Sequence, residues 1–206
     1  MSDIKELGHV HNVYPAKSGD AVLLMLHGTG GDEHDLVPLG RALRPDAAIL
    51  SPRGNVLEHG MPRFFRRLAE GVFDQEDLAH RTDELARFLE GASSKYGVDQ
   101  GKITAVGFSN GANIAASMLL RRPGTLRAAM LLSPMVPFEP KTLPDLKGTR
   151  VFIGAGRTDP IIPPAQVERL AQLLRDAGAD VTLYWHPAGH TITNDEFEAA
   201  RKWISI

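Results

Sequence analysis

Short, unbroken apolar runs, each followed by an amphipathic stretch, restrict what this chain can fold into more than any other feature. Six runs occupy residues 21–26, 47–50, 103–108, 128–132, 150–154 and 181–186. Continuous apolar runs of this length fit strands covered on both faces, because a strand with one wet face alternates apolar with polar residues. Between them, residues 32–43, 74–95, 109–121, 164–177 and 194–204 carry apolar side chains at helical spacing. Leu78, Leu85, Phe88 and Leu89 mark one face of the longest, and Val167, Leu170, Leu173 and Leu174 form the stripe of another. Thr193 and Glu196 stand at capping-box spacing at the head of the last. Residues 10–14 read as an edge strand before Pro15. This alternation predicts an α/β fold, a mostly parallel central sheet with helices on both faces.

No repeat, low-complexity tract or linker divides the chain, so residues 1–206 read as one domain. A net charge of -2 gives no ground for a nucleic-acid partner. The longest apolar runs are far too short to cross a bilayer, and MSDIKELGHVHNVYP lacks the apolar centre of a secretory signal. The expectation is a cytoplasmic protein without stable membrane insertion. Cysteine is absent, which removes disulfides, thiolate metal ligands and a cysteine nucleophile, and with the last of these a dienelactone-type mechanism. Residues 51–71, SPRGNVLEHGMPRFFRRLAEG, are long for a connector and read as an irregular functional insertion.

The chemistry centres on Gly-Phe-Ser-Asn-Gly, residues 107–111, between a strand run and a helical one. So abrupt a turn drives its central residue toward positive φ and brings its flanks together, and Gly107 and Gly111 have no Cβ to obstruct that approach. Ser109 is then aimed outward at a helix N-terminus, where backbone N–H groups can stabilise an oxyanion. The alternative role for Ser109 is an ordinary helix N-cap. A serine nucleophile needs a base oriented by a carboxylate. Loops at the carboxyl ends of parallel strands meet at one edge of the sheet, so the partners should follow later strands, acid first and histidine last. Asp159, after RVFIGAG, and His190, after VTLYWH, satisfy that order. Asp159 also suits an Asx-type turn before Pro160, while His186 at the strand end points into packing or solvent. The loop His27-Gly28-Thr29-Gly30-Gly31 follows the first strong strand. With it, the N–H of Thr29 joins that of Asn110 as oxyanion donors, and His27 orders the loop.

HGTGG, GFSNG, GRTDP and AGHTI together resemble the small serine esterases of the α/β-hydrolase superfamily. The nearest likeness is to the phospholipase/carboxylesterase family, which includes acyl-protein thioesterases. PRGN, MPRFFRR and EGVFD look like a bacterial branch described as carboxylesterases or as esterase-like proteins tied to quinone or aromatic stress. The resemblance implies a hydrolase without a large cap domain, with no cofactor and no metal, commonly a homodimer, acting on small-molecule esters. It assigns Ser109, Asp159 and His190 to the triad, and Thr29 and Asn110 to the oxyanion hole. Asn110 departs from the glutamine frequent in the thioesterase branch, but the backbone donor survives that change. Thioesterase or lysophospholipase activity would use the same triad, and a catalytically silent ligand-binding protein is the rival from another class.

For the substrate, Phe64 and Phe65 are candidates for one apolar wall and Ile161 and Ile162 for the opposite one. Packing residues are the other reading of all four. Arg53 is a candidate anion contact. Arg63, Arg66 and Arg67 suit either an acidic substrate or ion pairing with Glu70, Asp74 and Asp77.

Overall fold

The computed structural model describes residues 7–205. The remaining residues, including the first six of the stretch compared with a secretory signal, lie outside the described part. Along the chain run β1 (His11–Tyr14), β2 (Val22–Leu26), α1 (Val37–Leu43), β3 (Ala48–Pro52), β4 (Val56–Glu58), β5 (Met61–Arg63), β6 (Arg67–Ala69), β7 (Val72–Phe73), α2 (Gln75–Tyr96), β8 (Ile103–Phe108), α3 (Asn110–Arg121), β9 (Ala128–Leu132), β10 (Arg150–Gly156), α4 (Pro164–Asp176), β11 (Asp180–His186) and α5 (Asn194–Ile204).

Among the described residues, seven strands form one sheet in the order β1-β3-β2-β8-β9-β10-β11. All neighbours are parallel except β1, which pairs antiparallel with β3 at the edge. The apolar runs are continuous because both faces are covered. Val22, Leu24 and Leu26 pack with α2, α3 and α4 on one side, whereas Leu23 and Met25 meet α1 and α5 on the other. This is the α/β-hydrolase architecture expected from the motifs.

Helix ends follow local chemistry. Asp74 caps α2 by accepting from the N–H of Asp77, and Gly97 closes that helix at φ 68°. The Thr193–Glu196 capping box forms at the head of α5 as expected. Helix α1 is shorter than the 32–43 expectation. Asp32 Oδ1 accepts from the N–H of His34 in a local turn, and the helix begins only where Pro38 occupies its first turn.

Residues 51–71 are not irregular. After β3 the chain makes two short antiparallel ribbons, β4–β5 and β6–β7. His59 and Gly60, both at positive φ (52° and 80°), form the two-residue connection of the first, the geometry that suits strand twist in a tight hairpin. The Glu58 carboxylate lies 3.1 Å from Arg63 Nε and accepts a 2.7 Å bond from Arg67 Nε, tying one ribbon to the other.

Candidate active site

Ser109 joins β8 to α3 with φ 52° and ψ -111°, a backbone conformation non-glycine residues rarely adopt. Its N–H donates to Leu132 O at 2.9 Å, and its own carbonyl accepts from Asn113 N at 2.9 Å, so both sides of the strained residue are pinned. The flanking glycines are a steric requirement. A Cβ on Gly111 would meet Leu26 O at 1.9 Å, and one on Gly107 would meet Gly111 C at 2.5 Å. The Ser109 side chain makes no cap bond to α3. That separates it from Asp74 and Thr193, and removes the N-cap reading.

Asp159 and His190 come from the loops after β10 and β11. His190 Nδ1 lies 2.7 Å from Asp159 Oδ2. Asp159 Oδ1 accepts from the N–H groups of Ile161 and Ile162 at 2.8 and 3.0 Å, so the Asx turn and the histidine contact coexist on one carboxylate. With Nδ1–H donating to Asp159, His190 Nε2 is left as the acceptor. The His190 loop lies against β10 because residue 156 is glycine; a Cβ there would strike Ala188 O and Gly189 O, each at 2.3 Å.

Ser109 and His190 open on one cavity of about 540 Å³. Thr29 and Asn110 line it as well. Asn110 is the first residue of α3, where an N–H has no acceptor within the helix. His27 Nδ1–H donates to Gly28 O (2.6 Å), and its Nε2 accepts from Gly54 N at 3.0 Å. Burial pushes its pKa down, which suits this neutral, loop-ordering place.

The substrate-wall expectations divide. Ile161 and Ile162 line the cavity. Phe64 and Phe65 do not: they are 2% and 0% exposed, with Phe64 tilted against the His27 ring and Phe65 edge-on to Phe73. They are core residues, packed in the same buried cluster as Leu78, Leu85 and Phe88 of α2. Arg53 is not an anion contact either. It makes paired 2.5 and 2.7 Å bonds to Glu33, which absorb its charge away from the cavity. Burial pushes Glu33 up, but those bonds prevail and hold its carboxyl below the usual range. Arg66 pairs with Asp74, as the ion-pairing alternative held. Arg63 and Arg67 pair with Glu58 instead, and both line the cavity. Phe73, Phe108 and Met135 also line it and were not anticipated. Phe108 and Met135 follow from position, since one precedes Ser109 and the other comes just after β9, at the same sheet edge.

The arrangement has the parts of an acyl-transfer site: an unspent hydroxyl at a strained turn, an imidazole held by a carboxylate, and backbone donors beside a cavity. The sequence pattern of the phospholipase/carboxylesterase family matches residues 8–206. The chain belongs to that family. It is 51% identical over 192 residues to MhqD of Bacillus subtilis, which bears the name of a hydrolase, covering 93% of this chain and 96% of that one. Among solved structures, the carboxylesterase of Bacillus cereus superposes with a TM-score of 0.94 at 50% identity, covering 96% of this chain and 93% of its own. A carboxylesterase from Mesorhizobium loti gives 0.90 at 33% identity, with 98% and 96% covered. As a member of this hydrolase family, the protein is an enzyme. Among the described residues, no helix is long and apolar enough to cross a membrane.

Proposed function

We propose that the protein hydrolyses carboxylic esters of small or medium acyl size through Ser109, His190 and Asp159. The observation that carries this reading is the 2.7 Å His190–Asp159 contact opening on the same cavity as Ser109, whose side chain caps nothing. Ser109 Oγ attacks the ester carbonyl while His190 Nε2 takes its proton. Asp159 holds the ring and stabilises the imidazolium that results. The tetrahedral oxyanion is bound by the N–H groups of Thr29 and Asn110. Collapse breaks the ester C–O bond, and His190 returns the proton to the departing alcohol. Water, deprotonated by His190, then attacks the acyl-serine and releases the acid. Ile161, Ile162, Phe73 and Met135 give the cavity an apolar wall for acyl or alcohol carbon.

Ser109→Ala tests the reading. The folded variant should lose ester turnover by roughly 10⁴-fold or more and lose labelling by a fluorophosphonate probe. Near-parental turnover would overturn it. A panel of esters, thioesters and lysolipids of graded chain length on the parent enzyme separates carboxylesterase from thioesterase or lysophospholipase action. No labelling and no turnover of any member would leave the fold as a binding protein.

A further inference from the structure

Three consecutive residues, Pro62, Arg63 and Phe64, each make a polar contact to the two segments that carry the proposed oxyanion donors. Pro62 O accepts from Gly30 N at 2.9 Å. Arg63 Nη1 donates to Thr29 Oγ1 at 2.6 Å. Phe64 N donates to Asn110 Oδ1 at 2.7 Å. Directly behind them, Gly54 donates its N–H to His27, and a Cβ on Gly54 would strike Arg63 C at 2.3 Å, so the segment is wedged in place. We propose that this segment is the positioning element of the oxyanion hole. Arg63 fixes Thr29 and Phe64 N–H fixes Asn110, so that both donor N–H groups are aimed before substrate arrives. The proposal rests on the catalytic reading given above.

The chemistry of Arg63 argues for this assignment. It is 4% exposed, and withdrawing a guanidinium from water is costly unless its donors and charge are met. Here Nε meets Phe65 O at 3.2 Å and the Glu58 carboxylate at 3.1 Å, while Nη1 is spent on the hydroxyl of the oxyanion loop. An ion pair serving only to fill the core has no need of that hydroxyl. Fixed donors stabilise a developing oxyanion without reorganising during the reaction, and a misplacement near 1 Å can cost about 10²-fold in rate. Asn110 serves twice: its N–H faces the reaction, and its Oδ1 anchors the ribbon. Arg63 and the Thr29 hydroxyl are therefore positioning groups, acting through the donors.

Thr29→Val keeps the backbone N–H and the branched shape but deletes the Arg63 contact. It should lower kcat roughly 10- to 100-fold with little change in KM. Affinity for a trifluoromethyl ketone, which forms a tetrahedral oxyanion with the serine, should fall by the same factor as kcat/KM. Arg63→Gln should behave alike, Arg63→Lys should recover part of the loss, and the double Thr29→Val, Arg63→Gln variant should lose no more than the worse single one. A folded Thr29→Val enzyme with parental kcat and parental ketone affinity overturns the proposal, whether or not the Arg63 variants fold. Fluorophosphonate labelling of the parent at Ser109 keeps the two readings apart. Labelled parent with an unaffected Thr29→Val sinks only the positioning role, whereas an unlabelled parent sinks the catalytic reading beneath it.

Discussion

His186 and His190 lie four residues apart at the end of one strand, each facing a carboxylate, in opposite surroundings. His190 meets Asp159 at 2.7 Å and lines the cavity that Ser109 also lines. His186 is 1% exposed, stands 3.5 Å from an equally buried Glu196, and has no hydrogen-bond partner for either ring nitrogen among the described residues. A histidine–carboxylate pair becomes a proton-transfer device only where one nitrogen is fixed and the other reaches substrate. Sealed under a helix, the same pair has no substrate to serve, and its titration bears on stability alone.

Breaking each pair should separate them. His190→Gln should reduce ester turnover by roughly 10⁴-fold or more, and Asp159→Asn by about 10⁴-fold, because the wrong tautomer would then be held against Ser109. His186→Gln should remain within a few-fold of parental kcat and KM. Steady-state rates on one short-chain ester check all three, with the fold of each variant verified by circular dichroism. Comparable losses in the His186 and His190 variants would erase the distinction.

This contrast was partly visible in the residues themselves. Chain order and strand ends selected Asp159 and His190 because parallel strands deliver their following loops to one edge, a rule independent of side-chain detail. The glycines around Ser109 were legible for a similar reason, since only a missing Cβ permits the approach to Leu26 O. Direction within 51–71 was not legible. Phe64 and Phe65 are consecutive and both buried, which neither helical nor strand periodicity anticipates. Arg53 finds Glu33 and Arg63 finds Thr29 across long stretches of chain, and such pairings exist only once the fold has formed. The hairpin carries a local signal of its own: His59-Gly60 is a two-residue loop between short extended runs.

The buried pair sharpens the comparison through pH, by a smaller effect. Burial pushes the Glu196 carboxyl up from 4.5 to about 7, against the opposing bond from Thr193. Burial pushes His186 down, with the Asp159 charge nearby opposing it. The folded protein therefore holds a proton on Glu196 that the unfolded chain has released, so this contribution to stability is full below pH 4.5 and is lost as pH rises through about 7. His186 acts in the other direction: its contribution is present above its unfolded value of 6.5 and is lost as pH falls below it. Glu196→Gln keeps the size and the capping-box geometry of the residue while removing its charge. That variant should be more stable than the parent by roughly 2–3 kcal/mol at pH 8, with the gain gone by about pH 4.5. Urea-unfolding midpoints measured across that range give the comparison directly. Parent and variant curves that run parallel would mean that Glu196 binds its proton alike in the folded and the unfolded protein, so that burial against His186 does not hold its carboxyl protonated.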